Sequence, residues 1–236
     1  MENPSENNEQ LRNRKIRSFI KREGRLTTGQ AKALSELLPK FGIDHFQDSL
    51  NFNTLFNNDA ETILEIGFGM GQSLLEQAET NTQLNYLGIE VHSPGVGSLL
   101  KGIDEREINN IRVSNEDAVE VMANKIPEQS LKGVQLFFPD PWHKKKHHKR
   151  RLVNATFVEA IAKRIKPGGF FHMATDWENY AEHMIKVMSK STEFENFAEQ
   201  GDYIPRPDSR PLTKFEQRGH RLGHGVWDLM FIRKSS

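Results

Sequence analysis

From about residue 60 onward, short apolar runs alternate with amphipathic stretches, and no other feature of the chain restricts its fold as much. Thr62-Ile63-Leu64-Glu65-Ile66-Gly67 has the length and β-branched content of a strand. Residues 71–79 then follow a helical period. The pairing recurs as a strand over 85–91 with a helix over 94–107, and as a short strand over 111–113 with a helix over 117–124. Val134 to Phe138 predicts a fourth strand, and 154–165 a helix stopped by Pro167-Gly168-Gly169. Phe170 to Thr175, a helix over 178–190 and a final strand over 226–232 complete the series. Such alternation predicts a parallel sheet covered by helices on both faces. With 236 residues the chain suffices for one large domain or two small ones. Residues 201–225 break the rhythm. Their three prolines and four glycines argue against regular structure, and a loop that long is functional or disordered.

Ligands of an open α/β sheet bind outside the C-terminal ends of its strands. The first such end carries Gly67-Phe68-Gly69-Met70-Gly71, which opens a helix. Glycines allow a tight turn and a close approach of ligand to backbone. The spacing departs from the Gly-x-Gly-x-x-Gly dinucleotide fingerprint, and a glycine turn alone is a common structural device. Glu90 ends the second strand, 19 residues after Gly71, where a carboxylate can accept both hydroxyls of a ribose. Asp117 follows the third strand and can accept from an adenine amino group. The bland alternatives are a surface Glu90 and a helix-capping Asp117. No Walker lysine is present. A glycine turn, a ribose acid and an adenine acid in this order fit an adenosyl cofactor without pyrophosphate, namely S-adenosylmethionine.

The fourth strand end is the richest. Phe137-Phe138-Pro139-Asp140-Pro141-Trp142 is followed by His-Lys-Lys-Lys-His-His-Lys-Arg-Arg over 143–151. Net charge is zero, yet 27% of residues are charged, so the charge is segregated. A second basic block holds seven Lys/Arg over 12–25 against one acid, Glu23. One such block reads as a solvated face. Two, one of them beside an acid and an aromatic ring, predict an anionic partner gripped locally. The chain has no cysteine, so disulfides and thiolate chemistry are excluded. No apolar run approaches 18 residues, and Met1 to Gln10 lacks the apolar stretch of a signal peptide, which predicts a cytoplasmic protein without membrane contact. His143, His147 and His148 are surrounded by lysines, which disfavours a metal site. His220 and His224 read as loop residues among glycines.

Leu64 to Gly71, Gly88-Ile89-Glu90-Val91-His92, Pro139-Asp140-Pro141-Trp142-His143-Lys144 and Thr213-Lys214-Phe215-Glu216 occur in that order. Together they resemble the bacterial tRNA (guanine-N7-)-methyltransferase family. Arg17-Ser18-Phe19, Gly24-Arg25-Leu26-Thr27 and Gly219 to Asp228 look like that family's terminal signatures, so the resemblance covers nearly all of the chain after residue 11. The Pro-Asp-Pro-Trp and Thr-Lys-Phe-Glu motifs are specific, whereas many methyltransferases share the glycine turn. The resemblance implies an α/β, Rossmann-like class I methyltransferase fold. Its seven-stranded, mostly parallel sheet has an antiparallel last strand and helices on both faces. A basic, partly disordered arm would span 1–40 and one methyltransferase domain 41–236. Glu65, Gly67, Gly69, Glu90, Asp117 and Asp140 would lie at S-adenosylmethionine. Lys144, Asp176, Thr213, Lys214, Phe215 and Glu216 would lie at the substrate, and Lys146, His147, His148, Lys149, Arg150 and Arg151 on RNA. The implied substrate is a variable-loop guanine at position 46 of tRNA, with no metal. The oligomeric state is open, with a monomer preferred to a homodimer.

The chemistry agrees with that implication. N7 of neutral guanine carries a free lone pair, so no strong base is needed and catalysis rests on alignment and electrostatics. Methylation makes the base cationic, so a carboxylate gains attraction as transfer proceeds. Asp140 is the first candidate for this catalytic role, with Asp176 and Glu216 as partners. Trp142 or Phe215 can stack on an exposed base, and Trp142 can alternatively anchor its loop. Rival functions are a methyltransferase acting on adenine N6 or ribosomal RNA, a noncatalytic RNA-binding module and, more distantly, a nicotinamide oxidoreductase.

Overall fold

The structure, a computed structural model, describes residues 24–43, 49–213, 216 and 225–235. It opens with helix α1 (Thr28–Glu36), started by a capping box. Thr27 Oγ1 accepts from the Gln30 N–H at 3.2 Å, and Gln30 Oε1 accepts from the Thr27 N–H at 2.9 Å. Short helices α2 (Leu38–Phe41) and α3 (Phe52–Phe56) follow, the latter capped by the Asn51 side chain on the Thr54 N–H. Then come β1 (Thr62–Ile66), α4 (Gln72–Thr80), β2 (Asn85–Ile89), α5 (Ser93–Glu105), β3 (Ile111–Ser114), α6 (Ala118–Asn124) and β4 (Leu131–Phe137). A 3₁₀ helix (Lys145–Arg150), α7 (Ala155–Arg164), β5 (Ile165–Thr175), α8 (Glu178–Met188), β6 (Phe194–Asn196) and β7 (Trp227–Arg233) complete the described chain.

The seven strands form one sheet in the order β3-β2-β1-β4-β5-β7-β6. The first five are parallel, and β7 runs antiparallel to both of its neighbours. This is the Rossmann-like class I methyltransferase fold expected from the sequence. Its side chains alternate between two cores, as the pleat requires. Leu64 and Ile66 face the core shared with Val121, Phe157, Ile161 and Met184. Ile63 faces the one shared with Leu74, Leu99, Leu100 and Ala33. The order reverses between β1 and β4, so this sheet's switch point lies beside the glycine turn.

Several elements differ from expectation. Helix α7 stops at Arg164, before the Pro-Gly-Gly signal, and the chain is extended from Ile165 onward, which pairs with Leu131. Pro167 and Gly168, the latter at φ +78°, therefore sit in an irregularity between the Ile165 and Phe170 pairings rather than at a helix end. Helices α1 to α3 and strand β6 are additions to the elements expected from periodicity. Helix α1, expected within an arm over 1–40, packs onto α5, where Gly97 lets the Gln30 backbone come close, and α2 packs against β3. Residues 1–23, with most of the first basic block, lie outside the described residues. Among the described residues no helix is long and apolar enough to cross a membrane.

Candidate active site

β1 delivers the chain into a turn in which Gly67, Gly69 and Gly71 have φ of 76°, 58° and 82°. These left-handed values are why glycine recurs at alternate positions. A Cβ on Gly67 or Gly69 would enter open space, whereas one on Gly95 of α5 would lie 2.1 Å from the Gly69 carbonyl oxygen. Helix α5 is thus pressed against the back of the turn. Glu90 locks onto the same turn: its Oε2 accepts the Gly69 N–H and its Oε1 the His92 N–H, both at 2.9 Å. Asp117 does cap α6, accepting the Val119 N–H at 3.0 Å. Capping and ligand binding do not conflict, because Asp117 also lines the cavity beside Glu90.

That cavity measures about 410 Å³ and lies at the switch point, walled by Gly67, Glu90, His92, Asp117, Phe138 and Asp140 among others. Its size is that of a small-molecule site. A fixed carboxylate at the end of β2, a second one on α6 and room above two glycines fit an adenosyl cofactor. Glu65 is set apart from this wall. It is buried within the sheet beneath the turn, where Gln77 Nε2 donates to it at 3.3 Å, and Gln135 Nε2 in turn donates to Gln77 at 2.8 Å. Burial, opposed by the Gln77 hydrogen bond and reinforced by the Glu90 charge, pushes the Glu65 carboxyl up to about 8.

The segment after β4 is strained. Phe138 and Trp142 both take left-handed φ, 52° and 49°, a conformation costing about 1–3 kcal/mol for such residues. Between them Asp140 is presented to solvent. Phe138, Pro139 and Asp140 wall the first cavity and also a second, open cleft of about 780 Å³. Asp176, Trp177 and Trp227 line this second cleft. Trp177 was not among the residues expected at the site, although it is the second residue after the C-terminal end of β5. It is 40% exposed and meets the His143 ring edge-on at 4.2 Å. Trp142, expected either to stack on a base or to anchor its loop, has the Arg150 guanidinium 4.9 Å from its centroid and the His147 ring edge-on at 5.9 Å. It anchors the basic run.

That run forms the 3₁₀ helix. Lys144, Lys146 and Lys149 are exposed, and His147, His148 and Arg150 are half-buried. Desolvation and the cations Lys146, Arg150, Lys144 and Lys149 hold His147 below its ordinary pKa. Arg151, expected on RNA, turns inward instead. It is buried, donates to the Pro141 carbonyl at 3.0 Å and to Asn179 Oδ1 at 2.8 Å, and stacks over Tyr180 at 4.8 Å. Its donors are spent on joining the Pro-Asp-Pro-Trp loop to α8. Thr213 is half-buried, and its Oγ1 accepts the Glu216 N–H at 3.2 Å. Glu216 is buried against Arg210, a residue that no sequence motif marks. Lys214, Phe215, His220 and His224 lie outside the described residues. Among the described residues no group of three or more His, Asp or Glu is placed to hold a metal ion.

Sheet order, glycine turn and the carboxylate after β2 define a class I methyltransferase, and residues 59–229 match the family model described as "Putative methyltransferase". Among solved structures the chain is similar in fold to the 16S rRNA methyltransferase KamB, with TM-score 0.57 at 13% identity over 80% of this chain and 96% of that one. It is likewise similar to the [4+2]-cyclase SpnF, with TM-score 0.52 at 15% identity over 90% and 98%. The chain is 60% identical over 220 residues to the tRNA (guanine-N(7)-)-methyltransferase of Shewanella amazonensis, covering 93% of this chain and 92% of that protein. It is 59% identical over 221 residues to the protein of the same name from Yersinia enterocolitica, covering 94% and 92%. The chain belongs to the tRNA (guanine-N(7)-)-methyltransferase family.

Proposed function

We propose that this enzyme methylates N7 of a guanine in tRNA, at position 46 of the variable loop, with S-adenosylmethionine as donor, in the cytoplasm. The observation that carries the reading is the shared wall: Phe138, Pro139 and Asp140 border both the cavity at the switch point and the open cleft. The cofactor supplies a methyl group made electrophilic by its sulfonium. Glu90, its oxygens fixed by two backbone N–H groups, holds the ribose, and Asp117 holds the adenine. On the other side of the wall Trp177 offers an aromatic face to an exposed base. Asp140 and Asp176 meet the donors of the guanine, and Asp140 stabilises the positive charge that grows on the ring. Lys144 and the exposed lysines of the 3₁₀ helix take the phosphates.

The test is methylation of an unmodified tRNA transcript with labelled cofactor, followed by mapping of N7-methylguanine through borohydride-induced strand cleavage. Label at the variable-loop guanine, lost when that base is replaced by adenine, is the expected result. Label on another base or atom refutes the assignment.

A further inference from the structure

The most densely paired charges of the described chain lie outside both cavities. Arg210 is 1% exposed. Its Nη1 and Nη2 donate to the two carboxylate oxygens of Glu216, both at 2.7 Å. Its Nε and Nη2 donate to those of Asp228 on β7 at 2.7 and 2.8 Å. His172 Nε2 on β5 lies 2.9 Å from Asp228 Oδ1. Burial opposes charge on Arg210, but the hydrogen bonds to Glu216 and Asp228 outweigh it and raise its pKa. The guanidinium also sits 5.8 Å from the Phe137 ring centroid and 5.6 Å from that of Phe138. One buried cation therefore ties Glu216, and through its backbone N–H Thr213, to β7 and to Phe138, the first residue of the wall that bears Asp140.

This geometry bears on Glu216. Each of its oxygens already accepts a charge-assisted hydrogen bond, and its side chain is 1% exposed. A guanine could reach it only by opening a cluster whose members are costly to leave unpaired. We infer that Arg210 and Glu216 form a latch: Glu216 is a positioning residue that acts through Arg210, holding Thr213 through its own backbone N–H and setting Phe138 against the cleft without touching the guanine. The inference rests on the proposed reaction for its kinetic arm only.

The kinetic arm compares Glu216→Gln with the parent on two transcripts, one with guanine at the target position and one with inosine, which keeps N7 and lacks the exocyclic amine. The latch predicts a fall of about tenfold or more in single-turnover rate, equal on both bases within about twofold, with KM for tRNA changed less than about twofold. Arg210→Lys should lower the rate in the same way and leave Glu216→Gln little further effect in combination. A loss confined to guanine, or no loss at all, overturns the inference. The second arm needs no activity. Without RNA, Glu216→Gln should speed amide exchange over 210–213 by about tenfold or more while β1 and β4 keep parent protection. Unchanged exchange over 210–213 overturns the latch. A parent that fails to methylate either transcript would count against the proposed reaction and leave the exchange arm to decide the latch.

Discussion

Among single residues, Glu65 holds the least comfortable position. It stands in a fully buried strand, paired in register with Gln135, and the Gln77 amide donates to it. Its pKa lies near 8 in the fold against 4.5 in a free chain, so between these values the native state keeps a proton that the unfolded state has lost. Its contribution to stability is present in full below pH 4.5 and is lost as pH rises through 8, at about 1.4 kcal/mol per pH unit inside the window. Glu65→Gln, which cannot titrate, should match the parent near pH 4.5 and exceed it at pH 8. Urea unfolding of both proteins across this range checks it, and parallel curves would show that Glu65 is already ionised in the fold. Trp177 gives a second residue-scale prediction. Trp177→Ala should lower kcat/KM for tRNA about 10–100-fold through loss of a stacking face, while Trp177→Phe retains most of it. Equal kinetics for Ala and Phe would remove the ring from the site. That Glu90 and Asp117 would meet at one cavity was legible, because each follows the C-terminal end of a neighbouring parallel strand. Arg210 was not, since its partners Glu216 and Asp228 are 6 and 18 residues away in the chain and only the packed fold brings them together.

At the scale of elements, the basic run is two devices in one stretch. Lys146 and Lys149 face solvent, whereas Arg151 links the Pro141 carbonyl to Asn179 on α8. Neutralising Lys146 and Lys149 should therefore reduce the slope of log K against log salt by about 0.7–0.9 for each phosphate that goes unneutralised, with thermal stability unchanged. Arg151→Ala should instead lower stability by about 2–4 kcal/mol, since several buried charge-assisted bonds go with it. Filter binding across a salt series and calorimetric melting separate the two, and a changed salt slope with intact stability for Arg151→Ala would reverse its assignment. Density of charge announced the run as one surface. It could not announce which of the neighbouring cations points inward, because that is set by α8. Helix α1 is a different case. Thr27 and Gln30 carry a capping-box pattern that was there to be read, but an amphipathic stretch dense in polar residues obscured it. The three-residue β6 exists only because β7 offers it an edge.

At the scale of the whole molecule, the switch-point cavity and the open cleft lie at one edge of the sheet and share Phe138, Pro139 and Asp140 as their common wall. The parallel, helix-covered sheet was legible, since strands alternating with helices leave few topologies, whereas its order β3-β2-β1-β4-β5-β7-β6, and with it the switch point, is set by packing. The second cleft was not legible either, because β7 returns antiparallel from a distant part of the sequence to bring Trp227 beside Trp177. The shared wall has a consequence that neither cavity has alone: binding on each side should be separable, and rate should depend on the wall. Glu90→Ala should weaken S-adenosylhomocysteine by about 1.5–3 kcal/mol and leave tRNA affinity in place. Asp140→Asn should weaken the binding of neither ligand. It preserves shape between two prolines and bonds of similar geometry, but it removes the charge that, in the proposed reaction, the methylated ring comes to face. Its expected effect is a fall of about 10²–10³ in single-turnover rate, with both dissociation constants within about threefold of the parent. Calorimetry with S-adenosylhomocysteine, tRNA binding and rapid quench under saturating conditions measure the three quantities on one preparation. A near-parental rate would show that alignment alone carries the transfer, and a matching loss of cofactor affinity would move Asp140 from the wall to the cofactor side.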